Sequence, residues 1–149
     1  MSLDNAKKSI IILGVLNIIL GLLGITLSVA LFSGGNMLGK SVIETATPAA
    51  EGAAEALTMS RIMLVLSVFV LVASIVYLLL GIFSIIGGTN PVKIMPAYVL
   101  SIIAIILSIV TMILNFASGV NVSTILDGIV GIVFSATSFA CAKTIRNSL

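Results

Sequence analysis

The chain has 149 residues, 60% of them apolar and only 8% charged, with a formal net charge of +2 at pH 7 and a mean hydropathy of +1.35. Soluble domains carry about 25% charged residues, so this composition excludes one and points to a bilayer. Histidine is absent and Cys141 is the one cysteine, which rules out an intrachain disulfide and removes the commonest proton shuttle and metal ligand.

Four apolar runs, 9–32, 62–86, 96–117 and 123–142, reach the roughly 20 helical residues that cross about 30 Å of hydrocarbon. The first should be capped by Asp4, ahead of Lys7 and Lys8, and it exceeds the apolar core of about 7 to 15 residues in a signal peptide, so it reads as an uncleaved span. Ser33-Gly34-Gly35 should end it, because paired glycines allow the left-handed backbone of a helix stop.

Within the extracytoplasmic segment 33–61, the stretch Asn36 to Leu57 is rich in alanine and glutamate rather than in turn formers. Thr47-Pro48 reads as a cap followed by proline at the first helical position. From there Ala49, Ala50, Ala53 and Leu57 share one face, with Glu44, Glu51 and Glu55 on another. Helix 2 is therefore expected to run from Pro48 to Gly87, about 60 Å at 1.5 Å per residue, and to extend beyond the membrane. Its alanine face (Ala49, Ala53, Leu57) and acidic face (Glu44, Glu51, Glu55) are the candidate partner-binding residues.

Gly87-Gly88-Thr89-Asn90-Pro91 marks a short connection, and Pro96 can sit in the first turn of helix 3. The third connection, 118–122, is shorter still, with Ser123 as the cap of helix 4. Connections this short make successive helices antiparallel neighbours.

Small residues recur every seven positions: Gly14, Gly21, Ser28 and Gly35 in helix 1, and Ser60, Ser67, Ser74, Gly81 and Gly88 in helix 2. Helix 3 interleaves Ala97, Ala104, Thr111 with Ser101, Ser108, Asn115, and helix 4 interleaves Gly128, Ser135, Ala142 with Thr124, Gly131, Ser138. Small side chains let helices approach closely where lipid supplies no hydrophobic driving force, and a sustained heptad imposes a left-handed supercoil. The expected fold is all-α: a polytopic, antiparallel, left-handed four-helix transmembrane bundle, a tetraspan with one membrane domain and no central pore in the monomer. Ile102, Ile105, Ile106, Ile109 and Ile113 should face lipid. Asn17 and Tyr77, both about 13 Å deep, should hydrogen-bond to each other or to Ser135.

Basic residues collect in cytoplasmic loops. Lys7, Lys8, Lys93, Lys143 and Arg146 share the side of the termini with one acid, Asp4, whereas Lys40 and Arg61 face Glu44, Glu51, Glu55 and Asp127. Both termini are therefore expected in the cytoplasm, with the chain in a cell or inner membrane.

Chemistry has little to work with. Asp127 is the one carboxylate that enters a span, about a turn inside helix 4, and with Asn115 it forms a candidate ion or proton site. The competing reading places it at interface depth, favoured by the helix dipole. The serines have no activating base, no metal-ligand or phosphate-cradling motif is present, and nothing suits a cofactor or nucleic acid. These features lead to a non-catalytic membrane protein, an accessory subunit or scaffold, whose partners are the lipid bilayer and either a membrane protein or further copies of itself. The alternative is a small oligomeric transporter or channel built on Asp127 and the serine-rich seams.

Overall fold

The computed structural model describes the backbone of residues 2–45, 53–117 and 122–149, and the side chains of residues 2–41, 54–113 and 129–149. Its elements are α1 (Leu3–Thr45), α2 (Ala53–Thr89), a 3-10 turn at Pro91–Lys93, α3 (Met95–Ala117) and α4 (Val122–Arg146). Among the described residues, four helices are long and apolar enough to cross a membrane, with mean hydropathies of 2.7, 2.9, 2.4 and 1.3 in chain order. The chain is an all-helical, multi-pass membrane protein.

The start of α1 differs from expectation by two residues. Ser2, not Asp4, takes the cap position: the Asn5 N–H donates to Ser2 Oγ at 3.4 Å, which satisfies one of the unpaired donors of the first turn. Asp4 falls inside that turn, where its charge complements the dipole.

The end of α1 differs by a dozen residues. No stop occurs at Ser33-Gly34-Gly35, and the helix continues to Thr45. These glycines keep right-handed backbone, and their smallness serves packing instead. A Cβ on Gly35 would lie 3.2 Å from Met63 Cβ and one on Gly39 would lie 2.9 Å from Ser60 Oγ, whereas Gly34 faces open space. A left-handed residue would have turned this surface away from α2. The same logic carries α2 through Gly87 and Gly88 to Thr89, since a Cβ on Gly87 would overlap Ile94 and one on Gly88 would meet Ile10 and Ile11.

Asn90 then takes an extended conformation, φ −127° and ψ 96°, as a residue before proline must. Pro96 falls in the first turn of α3, as expected. The start of helix 2 at Thr47-Pro48, with Ala49 and Glu51, lies outside the described residues. From Ala53 onward α2 is unbroken.

The chain divides into two compact units. The first comprises Met1–Gly21 and Val76–Leu149. Its apolar core is Ala6, Ile10, Ile94, Ala97, Cys141, Ala142 and Ile145, so the N-terminal turns of α1, the start of α3 and the end of α4 meet at one place. Here Gly14 and Gly81 pack backbone to backbone: a Cβ on either would lie 2.8 Å or less from the other's carbonyl oxygen.

The second unit, Leu22–Ile75, is built on the facing parts of α1 and α2. Ser28 Oγ donates to the Ser67 carbonyl at 3.0 Å and Ser60 Oγ to the Gly35 carbonyl at 2.8 Å, both buried between the helices. Gly24 packs directly on Ser74. The partners run in opposite directions, so α1 and α2 are antiparallel along this stretch.

Burial is inverted relative to a water-soluble fold. Ser84 and Ser101 are 0% exposed, whereas Ile12 is 62% and Val65 71% exposed. On α3, Ala97, Ser101, Ala104 and Ser108 are buried; Ile102, Ile106, Ile109 and Ile113 are exposed, and Ile105 is half-buried. A protein surrounded by hydrocarbon loses nothing by showing it leucine and isoleucine, and gains close backbone packing by keeping small residues inside.

Candidate functional site

Several polar side chains are buried in the interior of the first unit. The Tyr77 hydroxyl lies 2.8 Å from Ser108 Oγ, and since Ser108 Oγ donates to the Ala104 carbonyl at 2.8 Å, the tyrosine is the donor to Ser108. Gly131 makes room for the pair: a Cβ there would sit 3.4 Å from Ser108 Oγ and 3.6 Å from the Tyr77 oxygen. Tyr77 thus points inward as expected but bonds to Ser108 rather than to Asn17 or Ser135. The two lie equally far, about four turns, from the Asn90–Ile94 connection, and that equality was the available signal.

Asn17 and Ser135 are both 1% exposed, and neither has a hydrogen-bond partner: the Asn17 amide nitrogen and oxygen and the Ser135 hydroxyl are buried unpaired, as are the hydroxyls of Ser84 and Ser138. On α4, Ser135 and Ser138 occupy the positions one and two turns beyond Gly131, and Ser84 lies two turns beyond Tyr77 on α2. Each serine can still donate to the carbonyl four residues back by a rotamer change. Asn17 has no such local outlet for both ends of its amide, and a buried polar group without a partner costs about 1–3 kcal/mol.

Cys141 is buried in the apolar core of this unit. At the same end, the Tyr98 and Phe139 rings pack with centroids 5.1 Å apart, and the Arg146 guanidinium carbon lies 4.8 Å over the Tyr98 ring.

The candidate ion site, Asp127 with Asn115, lies outside the described side chains, as do Glu44 and Ala53. Of the candidate partner-binding residues, Glu55 is exposed and Leu57 half-buried. Ser60, one turn from Leu57 on the face that continues the small-residue register, is buried against Gly35 and Gly39 of α1. The extension of α1 to Thr45 is what covers this face of α2.

Among the described residues, an exposed face of α2 carries Ala54, Glu55, Thr58, Met59 and Ile62, which line an open groove of about 330 Å³. Met59 and Ile62 are 50% and 55% exposed. The Thr58 hydroxyl donates to the Ala54 carbonyl at 2.8 Å, so among the described residues lining the groove Glu55 is the polar group whose acceptors are not turned back into the helix. Periodicity alone does not single out these residues, because which flank of α2 is open depends on how far α1 runs.

The sequence matches no protein-family model, no curated protein and no solved structure.

Two regions stand out: the buried polar residues inside the first unit and the groove at the head of α2.

Proposed function

We propose that the chain is a non-catalytic membrane protein that works by binding, an accessory subunit or scaffold that offers the head of α2 to an apolar helix of a second membrane protein. The groove of Ala54, Glu55, Thr58, Met59 and Ile62 carries this reading. Its apolar lining fits a helix face, and the Glu55 carboxylate fits a basic residue on that helix, a pairing stronger at the membrane edge than in bulk water.

Helix length supports the same picture. α1 has 43 residues and α2 37, about 64 and 55 Å at 1.5 Å per residue, against a hydrocarbon core of about 30 Å. In this reading both helices, not α2 alone, outrun the bilayer as the left-handed antiparallel bundle leaves it, and the side of the termini, which carries five of the seven cations, faces the cytoplasm.

A photo-reactive side chain at Met59 tests the proposal in native membranes, with one at the exposed Val133 of α4 as the control. The expected result is a discrete protein adduct from position 59, lost in Glu55→Lys, and lipid adducts alone from position 133. Lipid adducts alone from both would overturn it.

A second reading, the small oligomeric transporter or channel, is favoured by one observation, the unpaired polar atoms of Asn17, Ser84, Ser135 and Ser138. Flux of ions or small polar solutes in proteoliposomes, lost in Asp127→Ala and reduced in Asn17→Leu, is its signature. Flux no greater than that of empty liposomes removes it.

A further inference from the structure

We propose that the end of the first unit where α1 begins, α4 ends and the Pro91–Lys93 turn lies is a binding surface for anionic phospholipid headgroups. The buried core fixes the arrangement. Ala6, Ile94, Ala142 and Ile145 belong to one cluster, and each is the immediate neighbour in sequence of a cation: Lys7, Lys93, Lys143 and Arg146 respectively, with Lys8 following Lys7. Packing of the cluster therefore gathers cations from three separate stretches of chain around one end of the helices. Lys8, Lys93, Lys143 and Arg146 are exposed and Lys7 is half-buried. Asp4 is the sole acid in these stretches, and among the described residues no carboxylate forms an ion pair with any of the five.

Two further features favour a lipid over a soluble anion. Lys93 sits between Val92 and Met95, which are 75% and 50% exposed; apolar side chains at a turn between two spans suit the boundary of headgroup and acyl chain rather than water. The Arg146 guanidinium carbon lies 4.8 Å over the Tyr98 ring, which is itself packed against Phe139. The ring contact holds the cation at this end of the helices and reduces the motion lost on binding a phosphate. Cations at span ends lie at the depth of lipid phosphates, with their aliphatic stems along the apolar surface.

The experiment is native mass spectrometry of the full chain released from mixed micelles with equal phosphatidylglycerol and phosphatidylcholine. Each basic residue near a membrane surface adds about fivefold to anionic-lipid binding, so the wild type should retain phosphatidylglycerol over phosphatidylcholine by at least about fivefold. Lys93→Gln with Arg146→Gln should bring the ratio towards parity. Lys40→Gln with Arg61→Gln, cations of the second unit, should leave it unchanged. Inorganic phosphate should not displace the lipid. Equal retention of the two lipids by the wild type, unchanged selectivity in the Lys93/Arg146 variant, an equal loss in the Lys40/Arg61 variant, or displacement by inorganic phosphate would each overturn the proposal.

Discussion

At Gly14 and Gly81 two main chains meet with nothing between them. An added methyl group on either would press on the opposite carbonyl oxygen, and backbone held in a helix cannot step aside as a flexible side chain can. Gly14→Ala and Gly81→Ala should each destabilise the fold by about 1–3 kcal/mol, the range for overpacking a tight interior. Gly34→Ala, where the added methyl enters open space, should instead stabilise it by up to about 1 kcal/mol, as alanine does in a helix interior. Reversible unfolding in mixed micelles, compared across the three variants, checks both signs. The buried polar residues separate in the same way. Tyr77→Phe removes a bond that is made and should cost about 0.6 kcal/mol, the average for hydrogen bonds between membrane helices. Asn17→Leu removes an amide that has no partner and should be neutral or stabilising by about 1 kcal/mol.

Between Ser33 and Ser41 the course of α1 decides which flank of α2 is covered. If the helix is continuous there, the amides of 34–41 should exchange with deuterium as slowly as those of 58–65 on the facing stretch of α2, beyond its first turn, measured in detergent or nanodiscs. A helix stop at Gly34-Gly35 would give several fast amides in a row. Much of the element pattern is legible in the sequence: the heptads of α1 and α2 form their shared seam, and the two interleaved series of α3 are its buried positions as far as Ser108. The reason is physical, since in lipid the spacing of small residues is the packing information. Glycine is where legibility fails. The same residue type serves a left-handed stop and a close approach, and Gly35 and Gly39 can be told from stops only once Met63 and Ser60 are known to lie opposite. The open groove is hidden for the same reason, and depth alone, which does not report the angle around a helix axis, gives Asn17 a partner that the structure does not.

For the molecule as a whole, the inverted burial sets how it responds to change. A water-soluble fold keeps its large apolar residues inside, where loss of one leaves a cavity. Here the helix seams are mostly glycine, serine and alanine and most large residues look outward, with Ile10, Leu80, Ile94 and Ile145 among the described residues buried inside. In a saturation library scored for folded protein in membranes, Leu, Ile and Val positions such as Ile12, Val65 and Ile106 should accept most apolar replacements within about 0.5 kcal/mol, as surface sites do, while Gly14, Ser67, Gly81 and Ser101 should accept almost none larger than themselves. Such a map read with the habits learned from soluble proteins would mark the seams as an active centre. The intolerance at Gly14 and Gly81 would report the distance between two helix axes, and any site of action would have to be sought among intolerant positions that carry no packing constraint.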